Sequence, residues 1–424
     1  MKHKAIGRRE FMGGLAVGAA AMLVDPSKVL GANDRVRVGM IGAGGRGQEL
    51  LKWVTSVPNV EVVAIADIYR RRYDEAKHIV PTLQTFDDHR RLLDVRDIDA
   101  VLIASPLHMH APHLLDTLAA GKDAYCEKTM TWSIGEADQC LKAAKNSKQV
   151  VTIGLQHESS GALADAKQWI NQGLPGKVTQ VEAWMSRNTP HGQGQWVRSV
   201  PGDCSAGNVR WDAFLNGRPA RSFDAYKFIN WRLFWEFSGG NVTENMVHQI
   251  AWITTALGLD LPASAYMSGG VFSEKDGREV PDTIAVTLNY PNDVVVLWQS
   301  VFNNAHYGLG ERFLGSDGTI EHLMGVTDMV TGKSASTIHL YPEKINRPNG
   351  AALTGESPDQ NHMANFIDCV RSRKQPNAPI DIGYRSAVAG HMANLAYRTR
   401  KVVTLDEARA LAPNNVTDVA KSHS

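Results

Sequence analysis

Residues 36–47 read VRVGMIGAGGRG. A short apolar run ends in Gly42-x-Gly44-x-x-Gly47, and a helical pattern opens directly after it at Gln48-Glu49-Leu50-Leu51. Strand, tight turn and helix start in that order are the context in which this glycine spacing becomes a dinucleotide-binding motif. Gly42 permits the turn and Gly44 lets the backbone approach a pyrophosphate. Gly47 lets the helix pack on the strand, and the first N–H groups of the helix face the phosphates. Gly45 and Arg46 belong to the same cradle. A second apolar run, Val60–Ala66 (VEVVAIA), ends in Asp67. An acid about 20 residues beyond the glycines is placed to bind the ribose hydroxyls of NAD. Asp67 would repel a 2′-phosphate, so NAD is preferred to NADP. Arg70, Arg71 and Arg72 follow at once and could offset that repulsion, but they read more simply as a solvated helix start.

From Arg35 to about Thr152, short apolar strands alternate with helical stretches, the pattern of a parallel α/β sheet. Ala100–Ala104, Ala124–Cys126 and Val150–Ile153 are the next strands. Beyond Gly154 the pattern changes. Val178–Trp184, Thr283–Tyr290 and Val294–Val301 are alternating or β-rich, and Gly315-Ser316-Asp317-Gly318 is a turn between two strands. The expected fold is therefore α/β: an N-terminal Rossmann dinucleotide-binding domain (residues 33–154), then an α+β domain (155–406) with a large open, mainly antiparallel sheet. Two late helices, Asn361–Arg373 and Tyr384–Arg398, are expected to pack back on the first domain, leaving a tail at 407–424.

The 424 residues suffice for two or three domains, and the formal charge of +1 with no basic stripe gives no sign of a nucleic-acid partner. Four scattered cysteines without C-x-x-C spacing indicate neither a zinc site nor a disulfide framework. Residues 1–32 stand apart: Lys2, Lys4 and Arg8-Arg9 precede an apolar, small-residue stretch from Phe11 to Val24. Arg8-Arg9-Glu10-Phe11-Met12 resembles a twin-arginine export signal, which implies a folded protein delivered to the periplasm with no stable membrane span after processing.

Gly121-Lys122-Asp123-Ala124-Tyr125-Cys126-Glu127-Lys128 resembles the GKHVxCEKP signature of the Gfo/Idh/MocA oxidoreductase family. Ser105-Pro106-Leu107-His108-Met109-His110 is similar to that family's loop after a cofactor-binding strand. Trp231-Arg232, Gly239-Gly240, Asn365-Phe366 and Arg371-Ser372-Arg373 fit its exported bacterial branch, which includes glucose–fructose oxidoreductase. The similarity runs from about residue 34 to 406. It implies a sugar or polyol substrate, NAD contacts from Ser105, Pro106, His110, Glu127 and Lys128, and a homo-oligomer, dimer or tetramer.

Lys128 sits just past a strand end, on the edge where open α/β sheets bind ligands. An ammonium there can hydrogen-bond the reacting oxygen and stabilise alkoxide character. Thr129 stands where the family has proline, which would hold Lys128 less rigidly. Thr243 reads as an N-cap, with Val247, Ile250, Thr254 and Leu257 forming a buried stripe after it. Glu244 and His248 lie four apart on one helical face, and a carboxylate so placed can orient an imidazole acting as general base. Ala251 replaces a further acid of the family pattern. Gln156, His157, Trp231 and Arg232 are candidates for substrate contact, Trp231 equally for core packing, and Tyr307 is a weaker one. His108, His110 and His113 lie within six residues, but they straddle a strand-to-helix turn with no carboxylate or cysteine, so no metal site is expected.

Three functions are compatible with the sequence. The leading one is an NAD-dependent oxidoreductase acting on a sugar hydroxyl with tightly bound cofactor, Lys128 polarising the oxygen, His248 moving the proton and Glu244 supporting His248. The second is an NAD-dependent glycoside hydrolase or lyase working by transient oxidation, elimination and re-reduction. The third is a non-catalytic sugar-binding protein.

Overall fold

The computed structural model describes residues 35–306, 308–327 and 334–411. The export-signal segment, Tyr307 and the end of the expected tail therefore lie outside the described residues. Among those described, no helix is long and apolar enough to cross a membrane.

The motif stretch folds as expected: β1 (Val36–Ile41) feeds the glycine turn and α1 (Gly45–Thr55). Next come β2 (Val60–Ala66), α2 (Arg71–Lys77), β3 (Gln84–Phe86), α3 (His89–Leu93), β4 (Ala100–Ile103), α4 (His110–Ala119), β5 (Asp123–Cys126), α5 (Ile134–Lys145) and β6 (Val151–Ile153). They form a parallel six-stranded sheet in the order β3-β2-β1-β4-β5-β6. The order reverses at β1/β4, and the crevice over that point is where such sheets bind ligands. β3 was not foreseen, because Gln-Thr-Phe has neither an apolar run nor an alternating one. β4 and β5 are four residues each and fully buried, since helices cover both faces.

The second sheet has nine strands, in the order β14-β13-β12-β11-β7-β10-β9-β8-β15. Reached through α6 (Gly161–Asn171), it comprises β7 (Val178–Met185), β8 (Ser264–Gly270), β9 (Thr283–Tyr290), β10 (Val294–Val301), β11 (Leu309–Gly315), β12 (Gly318–Thr327), β13 (Ser334–Pro342), β14 (Leu353–Thr354) and β15 (Val403–Thr404). Pairings are antiparallel except β7 with β10. In β9 alternate residues are buried, as a strand with one covered face requires. Short helices α7 (Trp211–Leu215) and α8 (Ala225–Ile229) lie in the long excursion between β7 and β8, ahead of α9 (Val247–Leu257).

Both late helices form. α10 (His362–Ser372) sends Met363, Phe366, Ile367 and Val370 into the cluster that holds Val36, Val38 and Leu50 of the first sheet and its helix. α11 (Ile380–Thr399) is buried along most of its length and packs with α5 and α9, and α12 (Leu405–Leu411) closes the described chain.

Candidate active site

The glycine turn is shaped as its spacing requires. Gly42 has φ +88°, and a Cβ there would stand 2.6 Å from the Ser105 nitrogen. A Cβ at Gly47 would overlap the Gly42 carbonyl oxygen, so this glycine sets the close seating of α1 on β1. Over Gly44 the space is open, with nothing within 4 Å of a Cβ. α1 carries neither a side-chain N-cap nor an acidic side chain in its first turn, which leaves its terminal N–H groups available to an anion. Asp67 directly follows β2 and accepts from the Ala43 N–H (2.7 Å) and the Tyr69 N–H (2.9 Å). Burial raises its carboxyl above the ordinary range, and those two N–H groups with Arg72 oppose the rise. One N–H per oxygen leaves further acceptor capacity for ribose hydroxyls. These residues fit a dinucleotide.

A cleft of about 520 Å³ lies over this cradle. Gly42, Gly44, Gly45, Arg46, Asp67, Ser105, Pro106, His110, Glu127 and Lys128 all line it; Gly47 lies beneath. The candidates of the second half, Gln156, His157, Trp231, Arg232, Glu244 and His248, line the same cleft. A second cavity of about 400 Å³, which shares Gly42, Asp67 and Ser105 with the first, runs between Ile68, Asp87 and Pro106 and the segment containing Arg210, Phe214 and Gly217.

Lys128 is held firmly. Its Nζ donates to the Glu244 carbonyl (2.7 Å) and to Glu244 Oε2 (3.2 Å). Thr129, in place of proline, donates through its hydroxyl to the Thr243 carbonyl (2.5 Å), an anchor that proline could not supply. Glu127 is not the partner of the lysine ammonium; it takes Arg46 Nε at 2.8 Å and the Gln156 amide at 3.3 Å.

The expected Glu244–His248 pairing does not form. Glu244 Oε2 accepts from Lys128 and from Arg232 Nε at 3.1 Å. Burial alone would raise this carboxyl, but Lys128 and Arg232 outweigh it and hold it at about 2. Part of the physical reason is local. The helix begins at Gly240, and residues Val242–Met246 form a π-helical turn. The wider turn breaks the 3.6-residue register on which the four-apart alignment rests. Thr243 is accordingly not an N-cap: from inside the helix its hydroxyl accepts from the Gly239 N–H and donates to the Gly240 carbonyl.

His248 opens α9. Its neighbour Gln249 pins the helix to the second sheet by donating to the Trp184 and Gly310 carbonyls and to Glu311, while accepting from Trp298 Nε1 at 2.7 Å. Burial, with His157, Lys128, Arg46 and Arg187 nearby, lowers the His248 imidazole well below its ordinary 6.5. The ring is therefore neutral at pH 7. Its ring lies beside that of His157, with centroids 5.1 Å apart, and the Nδ1 of each is buried without a partner among the described residues.

His110 braces the turn after β4: its ring nitrogens face the Thr129 carbonyl (2.7 Å) and the Ser105 carbonyl (2.8 Å). His108 faces the Phe214 carbonyl and His113 faces Ser105 Oγ. Three different partners leave no common centre, and among the described residues no group of three acidic, histidine or cysteine side chains could hold a metal. Trp231 packs on the Phe214–Phe237 cluster and also borders the cleft, with Arg232 stacked 4.2 Å above its ring. Sequence reasoning missed Arg187, Trp196, Arg198 and Asn245, which also line the cleft. Asn245 adjoins Glu244 and accepts from Arg187 (3.1 Å), so its neighbourhood was a usable signal; the other three come from an irregular excursion with no motif.

Two family models match the chain: the Gfo/Idh/MocA oxidoreductase family's NAD-binding Rossmann fold over residues 36–155, and its C-terminal alpha/beta domain over 215–405. An α-N-acetylgalactosaminidase of Shewanella oneidensis is 32% identical over 181 residues, 38% of this chain and 39% of that protein. A glycosyl hydrolase family 109 protein of Shewanella putrefaciens is 32% identical over 183 residues, again 38% and 39%. The matched stretch thus spans about two-fifths of these relatives. Among solved structures, levoglucosan dehydrogenase in complex with NADH and L-sorbose superposes with a TM-score of 0.66 at 16% identity, covering 88% of this chain and 99% of that one. Scyllo-inositol dehydrogenase from Lactobacillus casei gives 0.63 at 17%, covering 88% and 98%. At such identity these two speak for the fold alone. With both domain models matched, the chain belongs to the Gfo/Idh/MocA oxidoreductase family.

Proposed function

We propose that this member of the Gfo/Idh/MocA family oxidises a ring hydroxyl of a sugar or sugar derivative, with NAD held in the cleft. The observation that carries the reading is the convergence of Lys128 and a neutral His248 on the cleft that contains the glycine cradle. A bound nicotinamide would supply the hydride acceptor. An ammonium has three N–H bonds. Two of those on Lys128 go to Glu244, which leaves the third for the substrate oxygen. Stabilising that oxygen as it gains negative character is the electrostatic part of the catalysis. His248, lacking a proton on one ring nitrogen, takes the hydroxyl proton. Trp196, Phe228 and Leu309 supply apolar walls that limit water. NAD is preferred because Asp67 guards the ribose end, and because Arg71 and Arg72 are both paired with Glu75.

The test begins with the nucleotide released on denaturing freshly purified protein, identified by mass. Reduction of bound NAD is then followed at its near-ultraviolet band across sugars and glycosides. Lys128→Ala should abolish reduction while the nucleotide stays bound. Reduction that survives in this variant would refute the assignment of Lys128.

A second reading, a redox-neutral glycosidase, has its own support in the similarity to the α-N-acetylgalactosaminidase and in His157, a second imidazole beside His248. Oxidation next to a carbon acidifies its C–H, and a second base could remove that proton before elimination. Turnover in deuterium oxide separates the two: this route washes deuterium into the adjacent carbon, and simple dehydrogenation does not. Nucleotide retained with no turnover of either class would instead favour a sugar-binding protein.

We further infer periplasmic delivery by the twin-arginine route. Arg8→Lys with Arg9→Lys should leave the protein in the cytoplasmic fraction. A homo-oligomer assembled through the second sheet is our reading of its quaternary state, checked by light scattering.

A further inference from the structure

Between the end of β7 and α7, residues 186–210 belong to neither sheet, yet they cross the cleft and fasten to the first domain immediately beyond Asp67. The Arg70 N–H donates to the Asn208 carbonyl (3.1 Å), the Arg210 N–H donates to the Ile68 carbonyl (2.9 Å), and Tyr69 and Val209 form an antiparallel bridge. Asp203 accepts from the Tyr69 hydroxyl (2.9 Å) and from Arg71 (3.0 Å). Tyr69, Cys204 and Val209 bury one another beneath this junction. The continuation through Gly217 forms one wall of the cavity that adjoins Asp67.

Midway along, Arg198 is gripped through its backbone: its N–H donates to Asn230 Oδ1 (2.7 Å) and its carbonyl accepts from Asn230 Nδ2 (3.1 Å). From that fixed point the side chain reaches the glycine cradle, with one guanidinium nitrogen 3.4 Å from the position of a Cβ on Gly45. The other cleft arginines have side-chain partners: Arg46 has Glu127, Arg72 has Glu75, Arg187 has Asn245 and Arg232 has Glu244. No described residue accepts a hydrogen bond from the Arg198 guanidinium. A fork of N–H donors beside an uncapped helix N-terminus is suited to a diphosphate.

We propose that Arg198 is a diphosphate ligand of the bound dinucleotide, and that segment 186–217 is a strap which retains the cofactor by closing over it. The inference rests on the dinucleotide reading of the cleft and adds a contact supplied from outside the Rossmann domain. Release of the nucleotide then requires both loss of the Arg198 contact and opening of the Asp203 junction.

The test measures binding of NAD, ADP and adenosine by calorimetry, and the rate at which bound NAD is lost after rapid desalting. Three proteins are compared: the full chain, Arg198→Met and Asp203→Asn. Methionine keeps the stem and removes the charge, so NAD and ADP should weaken roughly 10- to 100-fold, with adenosine unchanged. Asp203→Asn leaves the cradle intact and should speed NAD loss roughly three- to tenfold. Unaltered NAD and ADP binding by Arg198→Met overturns the phosphate contact, and unaltered NAD loss from Asp203→Asn overturns the strap. A full chain that binds none of the three nucleotides overturns the dinucleotide reading itself, an outcome distinct from both.

Discussion

Replacing Glu244 by glutamine keeps the shape of the side chain and removes the negative charge that joins Lys128 to Arg232. The carboxylate is buried and held at about 2 against an ordinary 4.5. That difference corresponds to about 3 kcal/mol of net stabilisation of the charged form, the attraction of the two cations less the cost of burial. Its sign follows from the direction of the shift: a depressed carboxyl contributes stability that is complete above pH 4.5 and is lost as pH falls through about 2. Glu244→Gln should therefore cost about 3 kcal/mol at pH 7, or roughly 4 °C in Tm for a chain of this size. The gap to wild type should narrow to about 1 kcal/mol near pH 3. Thermal and urea unfolding of the nucleotide-free protein at several pH values measure it. In turnover, kcat should fall roughly 10-fold as Lys128 loses the charged one of its two anchors and keeps the main-chain carbonyl, while the acid limb of the kcat/KM profile stays in place. A cost under about 0.5 kcal/mol, or a gap independent of pH, would refute the charge argument. An acid limb that moved with the substitution would return Glu244 to the role of orienting His248.

Other perturbations reach different parts of the site. His248→Asn should lower kcat roughly 10²- to 10⁴-fold with nucleotide binding intact, which separate binding and single-turnover measurements resolve. Because burial holds His248 neutral well below 6.5, wild-type kcat/KM should stay level as pH drops past that value; an acid limb at or above 6.5 would exclude His248 as the base. Gly42→Ala places a methyl 2.6 Å from the Ser105 nitrogen at a φ of +88°, so the purified variant should carry no nucleotide and melt at a lower temperature. Asp67→Ala should weaken NAD more than NADP and narrow the preference between them, measured as a ratio of dissociation constants.

The Rossmann half was legible because its information is local. A glycine at a positive φ, a glycine beneath a carbonyl and an acid at the end of the next strand are each dictated by a few neighbouring residues. The late helices were legible for a similar reason, since apolar spacing marks a face that must be buried. The three-residue strand β3 carries no such pattern and exists because β2 offers it an edge to pair with.

The candidate site divides along the same line. Sequence by itself singled out the cradle, Asp67 and Lys128 from motif and strand-end position, and it singled out His248 only from a helical pairing with Glu244 that does not form. What Glu244 does was decided by the tertiary structure. A π-helical turn moves it out of step with His248, and the fold brings Lys128, 116 residues away in the chain, and Arg232 to its carboxylate. Arg187 and Arg198 likewise enter the cleft from a segment without periodicity. The physical reason is that spacing along a chain encodes direction within one helix or strand. A charge pairs with whatever opposite charge or dipole the packed elements bring within about 3 Å, and that distance is set by the whole fold.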